Sequence, residues 1–234
     1  MAGAAYAVFA LHLLQLGYLR QPRDSLKTAM LAAVGFSALW GSLLLTFLLT
    51  GNPYLQVFSS LFDILRYAAW FALLLNLLRP PESAELPAGI AWLRPLAIGL
   101  VLFGLLAQGL LVQGGTMLGD PGRLILLSSM AMPVLALVLL EQLFRNVAED
   151  LRWNVKPLCL GLAGVCLFDL YLFSQAVLFN SLDRNVLSMR GAVHVLVLPL
   201  LLLSSSRSSN WTSKVRVSRR AAFHSATLLI AGLY

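Results

Sequence analysis

Three ionisable residues lie deep inside apolar stretches of this sequence, where a charge needs either a partner or a purpose. Asp63 and Arg66 stand three residues apart in "LFDILRYAAW", and Asp169 lies within "GVCLFDLYLF". A charge at the centre of a membrane helix costs roughly 2.5–3.5 kcal/mol, so these residues are the first candidates for function. Because residues three apart share a helix face, Asp63 and Arg66 can pair.

The two aspartates are predicted to lie at similar depth. Asp169 is about twelve residues, and Asp63 about nine, from the start of its apolar stretch, which at ~1.5 Å per residue brings both near the midplane of a bilayer. A cluster of Asp63, Arg66 and Asp169 is therefore geometrically possible. It can be a ligand or proton site, or a set of neutralised groups in a packed bundle, and the sequence leaves both interpretations open.

Other polar residues give weaker signals. Glu141 and Arg145 are spaced i, i+4 near a helix end, which predicts an interfacial ion pair. His194 and His224 lie in different apolar segments, where a single histidine more often hydrogen-bonds a neighbouring helix than binds metal. We predict no metal site. We also assign no catalytic residue, because the sequence lacks the GxSxG, HExxH and GxxxxGK[ST] motifs.

The composition that surrounds these charges is typical of an integral membrane protein. Of the 234 residues, 59% are hydrophobic and 12% are charged, and the mean hydropathy is +0.81. Soluble proteins carry ~25% charged residues. The net charge of +7 fits basic cytoplasmic loops better than a nucleic-acid surface. We therefore expect the lipid bilayer, and not nucleic acid, as a partner.

Apolar stretches of about twenty residues predict an all-α fold, a polytopic transmembrane helix bundle with seven full spans plus a truncated eighth. The stretches lie at 4–19, 28–50, 54–78, 93–113, 123–144, 157–179 and 191–206, and the incomplete one begins near 221. We treat residues 1–234 as one membrane domain. An eighth helix that ended at Tyr234 would leave a carboxylate in hydrocarbon, so we expect the polypeptide to continue.

The basic residues predict the orientation. One set of alternate loops carries thirteen Lys and Arg residues, whereas the other carries Arg123, Arg184 and Arg190. The positive-inside rule puts the richer set in the cytoplasm and the N-terminus outside.

Three stretches carry a resemblance to a known family. They are "LRWNVKPLCLGLAGVCLFDLYLFSQAVLF", "RGAVHVLVLPLLLLSSSRSSNW" and "VSRRAAFHSATLLIAGLY". Together with "FDILRYAAWFALLLNLL" in the first half, they resemble the membrane-embedded N-terminal region of the PrsK sensor histidine kinases, which are associated with bacterial exosortase/PEP-CTERM protein-sorting systems. The resemblance covers most of the chain and is most specific towards its C-terminal end.

The resemblance implies a sensory or anchoring membrane domain of a two-component kinase in the bacterial inner membrane, in a system linked to protein sorting and extracellular polymer production. It further implies a cytoplasmic region beyond Tyr234 with a GAF-like module, a phosphoacceptor-histidine segment and an ATP-binding domain. ATP and Mg²⁺ would be cofactors there, whereas no cofactor is expected within residues 1–234. A homodimer and a response regulator are the implied partners. None of the family's catalytic residues maps onto this sequence.

Two other classes of function stay open from the residues alone. In a free-standing transporter or permease-like protein, the cluster at the midplane would be the substrate site. Transporters often have broken helices near their binding sites. Here only Pro133 and Pro199 interrupt the predicted spans, which weakens the transporter alternative. A membrane enzyme that builds or exports an extracellular polymer is the other alternative.

Overall fold

The computed structural model describes residues 1–18, 25–79, 86–113, 121–147, 152–179 and 183–206. Within these ranges the protein contains seven α-helices and no strand, so the all-α prediction is confirmed for the described residues. The helices are α1 (Ala2–Gln15), α2 (Ser25–Thr50), α3 (Pro53–Leu77), α4 (Leu93–Val112), α5 (Pro121–Asn146), α6 (Arg152–Phe179) and α7 (Arg184–Ser206). The predicted eighth segment lies outside the described residues.

Helices α2 to α7 have 20–28 residues each and are apolar enough to cross a membrane. Helix α1 has 14 residues, fewer than the ~20 that a perpendicular span needs. Large apolar side chains such as Leu49, Leu178 and Leu196 are 77–80% exposed, whereas Asp169 has no exposed surface. A helix bundle in lipid exposes apolar side chains to the hydrocarbon and keeps charged side chains inside, where they can find partners. The chain is therefore a multi-pass membrane protein.

The helices pack mainly against their neighbours in chain order. Helix α1 contacts α2, each following helix contacts the next, and α1 also contacts α7, which closes the series into a ring. Helix α3 additionally packs against α5 and is the most buried of the six long helices. Because α3 carries Asp63 and Arg66, this arrangement puts both residues inside the bundle.

A tight turn joins α2 to α3 and makes these helices antiparallel. Gly51 has a φ of 68°, a conformation that glycine adopts readily after a helix C-terminus. The side chain of Asn52 accepts a hydrogen bond from the backbone N–H of Tyr54 at 3.0 Å, and Pro53 occupies the first helical position. Asparagine caps and first-turn prolines both favour a helix start, so the sequence fixes where α3 begins.

The start of α7 differs from the sequence prediction. The apolar stretch predicts a helix from 191 and places Arg190 in an outer loop, but α7 begins at Arg184 and includes Arg190. Arg190 is 3% exposed. Hydropathy assigns an arginine to a loop because an unpaired charge is costly in lipid. The loop prediction for Arg190 is wrong because buried carboxylates neutralise its charge and allow the helix to include it.

Candidate functional site

Three helices bring their ionisable residues to one level of the bundle. Helices α3 and α7 begin, and α6 ends, at the same end of the bundle. Asp63, Asp169 and His194 each lie about ten residues, or ~15 Å, from that end of their helices. We call the following five side chains the charge cluster: Asp63, Arg66, Asp169, Arg190 and His194. Taken as whole residues, all five are at least nine-tenths buried.

The three residues singled out by the sequence are in direct contact. Nη2 of Arg66 lies 2.6 Å from Oδ1 of Asp63 and 3.0 Å from Oδ2 of Asp169. Nε of Arg66 also donates a hydrogen bond to Oδ1 of Asp63 at 2.9 Å. One guanidinium therefore bridges two carboxylates and links α3 to α6.

Arg190 of α7 completes the charge balance, and the sequence reasoning missed it. Its Nε and Nη2 donate to the two carboxylate oxygens of Asp169 at 2.6 and 2.7 Å, the strong bidentate geometry of arginine with a carboxylate. Nη2 of Arg190 also lies 2.8 Å from Oδ2 of Asp63. Two cations and two anions thus cancel. The i, i+4 spacing of Arg190 and His194 on one face of α7 was the available signal.

His194 occupies the remaining hydrogen-bonding position of Arg66. Nη1 of Arg66 lies 3.1 Å from Nε2 and 3.4 Å from Nδ1 of His194, and the ring must offer it an acceptor nitrogen because a guanidinium has only donors. Nδ1 of His194 lies 3.2 Å from Oη of Tyr6. Oη of Tyr67 donates to Oδ2 of Asp169 at 2.6 Å. His194 is therefore neutral in this arrangement, and the net charge of the cluster is zero.

The indole of Trp40 packs against both arginines. The Cζ atoms of Arg66 and Arg190 lie 4.5 and 4.6 Å from the centre of the Trp40 ring, within the range of cation–π attraction. The His194 ring centre is 4.6 Å from the same indole. Trp40 therefore connects α2 to the charge cluster and helps to hold both guanidinium groups in position.

A cavity of about 120 Å³ lies between the charge cluster and the end of the bundle where α3 begins. Its wall on α3 consists of Gln56, Ser59, Ser60, Asp63, Ile64 and Tyr67. Arg190 also borders it. At ~30 Å³ per water in the liquid, this space suits about four waters or one small polar molecule. The Asp63 side chain is 12% exposed and that of Asp169 is fully buried, so Asp63 is the carboxylate that the cavity reaches.

Packing is nearly complete on the other side of Arg66. There the described residues of α1, α3, α5, α6 and α7 leave a cavity of about 10 Å³. A single water needs ~10–15 Å³. Among the described residues, the charge cluster is therefore accessible to water from the cavity side, and packed side chains close it on the other side.

The weaker candidates do not all join this site. His194 does, whereas Glu141 and Arg145 pair with each other at 2.6 Å on α5 and are 50% and 33% exposed. His224 lies outside the described residues. No group of three His, Cys, Asp or Glu side chains within the described ranges is arranged to hold a metal ion.

The chain matches no protein-family model, no curated protein and no solved structure. Its assignment as a multi-pass membrane protein rests on its helices. The resemblance to the PrsK kinases rests on the quoted stretches alone and stays a prediction.

Proposed function

We propose that residues 1–234 form the membrane sensory domain of a bacterial two-component histidine kinase, as the resemblance to the PrsK kinases implies. In this proposal the N-terminus is outside the inner membrane, the kinase region follows Tyr234 in the cytoplasm, and the protein works as a homodimer with a response regulator. The observation that carries the proposal is the charge cluster, which joins three helices by ion pairs and borders a cavity on one side. An assembly of this kind suits a switch in helix packing.

The contact between Asp63 and Arg190 is the part of the cluster that a signal can reach, because both residues border the cavity. An anionic group in the cavity would compete with Asp63 for Arg190, and a cationic group would compete with Arg190 for Asp63. Either would weaken the link between α3 and α7, while Asp169 would keep Arg190 in place through two hydrogen bonds. A ligand with different affinities for two helix arrangements shifts their populations.

The basic residues support an outward-facing cavity. With Arg190 inside the bundle, the loops and helix ends on the cavity side retain Arg123 and Arg184, whereas the opposite set has thirteen basic residues. The described turn at Gly51 and Asn52 on that side is tight. We therefore expect a signal that is small, lipid-borne or carried by another membrane protein.

The coding DNA beyond the codon for Tyr234 gives the first test. We expect it to complete an eighth span, add a ninth, and then encode a histidine-bearing dimerisation segment followed by glycine-rich ATP-binding motifs. In this proposal, the ninth span returns the chain to the cytoplasm, where ATP is found. A stop codon within a few residues would contradict the kinase proposal.

Autophosphorylation of the full-length protein in membrane vesicles gives the second test. We expect Asp63→Asn to change the basal rate by at least about fivefold, because coupling energies of this kind are typically 1–3 kcal/mol. Glu141→Gln is the matched control, since it also breaks an ion pair but lies outside the charge cluster. A folded Asp63→Asn protein with an unchanged rate would remove the cluster from signalling.

A transporter is the second candidate, because the cavity ends at ionisable residues deep in the bundle. Helices α5 and α7 also contain Pro133 and Pro199. Transport would require a second arrangement of the helices. In that arrangement, the closely packed side of Arg66 would open. Solute flux through proteoliposomes that contain the chain, lost in Asp63→Asn, would favour this candidate over a sensor.

A further inference from the structure

We infer that a groove between α3 and α4 binds an anionic phospholipid, with its phosphate between Arg79 and Arg94 and an acyl chain along the helices. The groove has a volume of about 380 Å³. Apolar side chains line most of it, among them Ala68, Phe71, Val101 and Leu102. This inference is independent of the proposed signalling function.

The positive charges lie at one end of the groove. Arg79 follows the last residues of α3, and Arg94 lies in the first turn of α4, so the two arginines line the groove where this antiparallel pair is connected. Ala68 lies about 16 Å further along α3. That distance is about half of the ~30 Å hydrocarbon thickness of a bilayer. The groove therefore has the length of one leaflet and a cationic end.

Among the described residues, Arg79 has an unused hydrogen-bond donor at this end. Its Nε atom is buried and has no partner within the described part of the chain, and a buried donor without an acceptor is costly. Neither Arg79 nor Arg94 pairs with an acidic side chain among the described residues. A phosphate offers several oxygen acceptors and a negative charge, which matches both observations.

The apolar part of the groove favours a lipid over a soluble phosphate. Ala72, Ile98 and Leu102 line it and are exposed at the surface of the bundle, so an acyl chain can enter sideways from the bilayer. A soluble phosphate would leave this wall uncovered. Basic pockets between transmembrane helices at the cytoplasmic side are sites for anionic headgroups, and this end carries the basic-rich loops.

Native mass spectrometry of the purified chain in detergent tests the inference. Phosphatidylglycerol and phosphatidylcholine with identical acyl chains are titrated separately, and glycerol 3-phosphate is titrated as the soluble headgroup. We expect a preference for phosphatidylglycerol of about thirtyfold, since each arginine near the membrane surface is worth ~1 kcal/mol. Glycerol 3-phosphate should bind far more weakly than the lipid.

Variants separate the two parts of the site. Arg79→Gln and Arg94→Gln should each reduce the preference about fivefold, and Arg79→Lys with Arg94→Lys should retain most of it. Ala72→Trp should weaken the binding of both lipids to a similar extent, because the indole would fill the apolar part of the groove. Arg145→Gln is the control, since it removes a positive charge outside the groove.

Three results would overturn the inference. They are equal binding of the two lipids to the unaltered chain, an undiminished preference in the folded Arg79→Gln, Arg94→Gln protein, and glycerol 3-phosphate binding as tight as that of the lipid. The last result would indicate a site for a soluble phosphate.

Discussion

The two carboxylates of the charge cluster contact the same arginines but differ in their access to water. Asp169 has no exposed surface and accepts hydrogen bonds from Arg66, Tyr67 and Arg190. Asp63 borders the cavity, and its side chain is 12% exposed. Water in the cavity can therefore replace Asp63 as a partner of Arg190, whereas the cavity does not reach Asp169. Their contributions to stability should differ accordingly.

We expect Asp169→Asn to destabilise the protein much more than Asp63→Asn. Removing one partner of a buried ion pair costs about 3–5 kcal/mol, because the other charge is left uncompensated. The loss in Asp63→Asn should be smaller, since the cavity can supply water to Arg190. Unfolding in mixed micelles, followed by circular dichroism, measures both variants. Equal destabilisation would show that the cavity does not hydrate the cluster.

The double variant Asp169→Asn, Arg190→Gln provides the control for this interpretation. It removes one anion and one cation together, so the remaining Asp63 and Arg66 still balance. Its destabilisation should be less than the sum of the two single effects by about 0.5–3 kcal/mol, the usual range for directly coupled residues. Strict additivity would contradict the ion pair between Asp169 and Arg190.

Part of the cluster could be predicted because a charge inside an apolar run is a rare signal. That signal identified Asp63, Arg66 and Asp169, whose assembly the structure shows. Arg190 was missed because it follows the polar residues at the start of α7 and so looked like part of a loop. Trp40 could not have been identified, since aromatic residues are common in membrane helices and spacing does not reveal contacts between distant helices.

At the scale of elements, α1 and α2 approach each other closely where Gly3 faces Gly41. A Cβ atom on Gly41 would lie 2.7 Å from the backbone nitrogen of Gly3 and 3.2 Å from the carbonyl carbon of Ala2. Small residues at such crossings allow membrane helices to approach closely. Because α2 also carries Trp40, this crossing helps to position the aromatic partner of the charge cluster.

We expect Gly41→Ala to destabilise the protein by about 1–3 kcal/mol, the usual cost of forcing an extra methyl group into a packed contact. Gly35→Ala is the matched control in the same helix, because a Cβ there would meet nothing within 4 Å. It should be neutral or stabilising, since alanine favours helix by up to ~1 kcal/mol over glycine. Unfolding midpoints of the two variants make the comparison, and equal midpoints would contradict the close crossing.

The existence of the helices was easier to predict than their ends. Uninterrupted apolar runs identified all seven described helices. Helix α6 begins at Arg152 and α7 at Arg184, earlier than the predicted starts at 157 and 191. Hydropathy missed these first turns because polar residues form them. Charged residues at a helix end can lie at the membrane interface or pair inside the bundle, and a hydropathy average does not distinguish these cases.

For the whole molecule, the cavity beside the charge cluster and the groove between α3 and α4 lie towards opposite ends of the bundle. The cavity is lined by the first turns of α3, whereas Arg79 and Arg94 lie beyond the last turn of α3 and in the first turn of α4. The proposed orientation therefore places a signal in the outer half and an anionic lipid in the inner half. Both assignments depend on which end faces the cytoplasm.

Cysteine labelling tests that orientation. Asn185 at the start of α7 and Ala88 in the turn before α4 are exposed and lie at opposite ends of the bundle. In intact cells, a membrane-impermeant maleimide should label Asn185→Cys, whereas it should label Ala88→Cys only after lysis, because the proposed orientation puts the basic-rich end in the cytoplasm. The unaltered chain gives the background, since Cys166 is buried and Cys159 half-buried within α6. The reverse pattern would place the cavity on the cytoplasmic side, where an external signal could not reach Asp63.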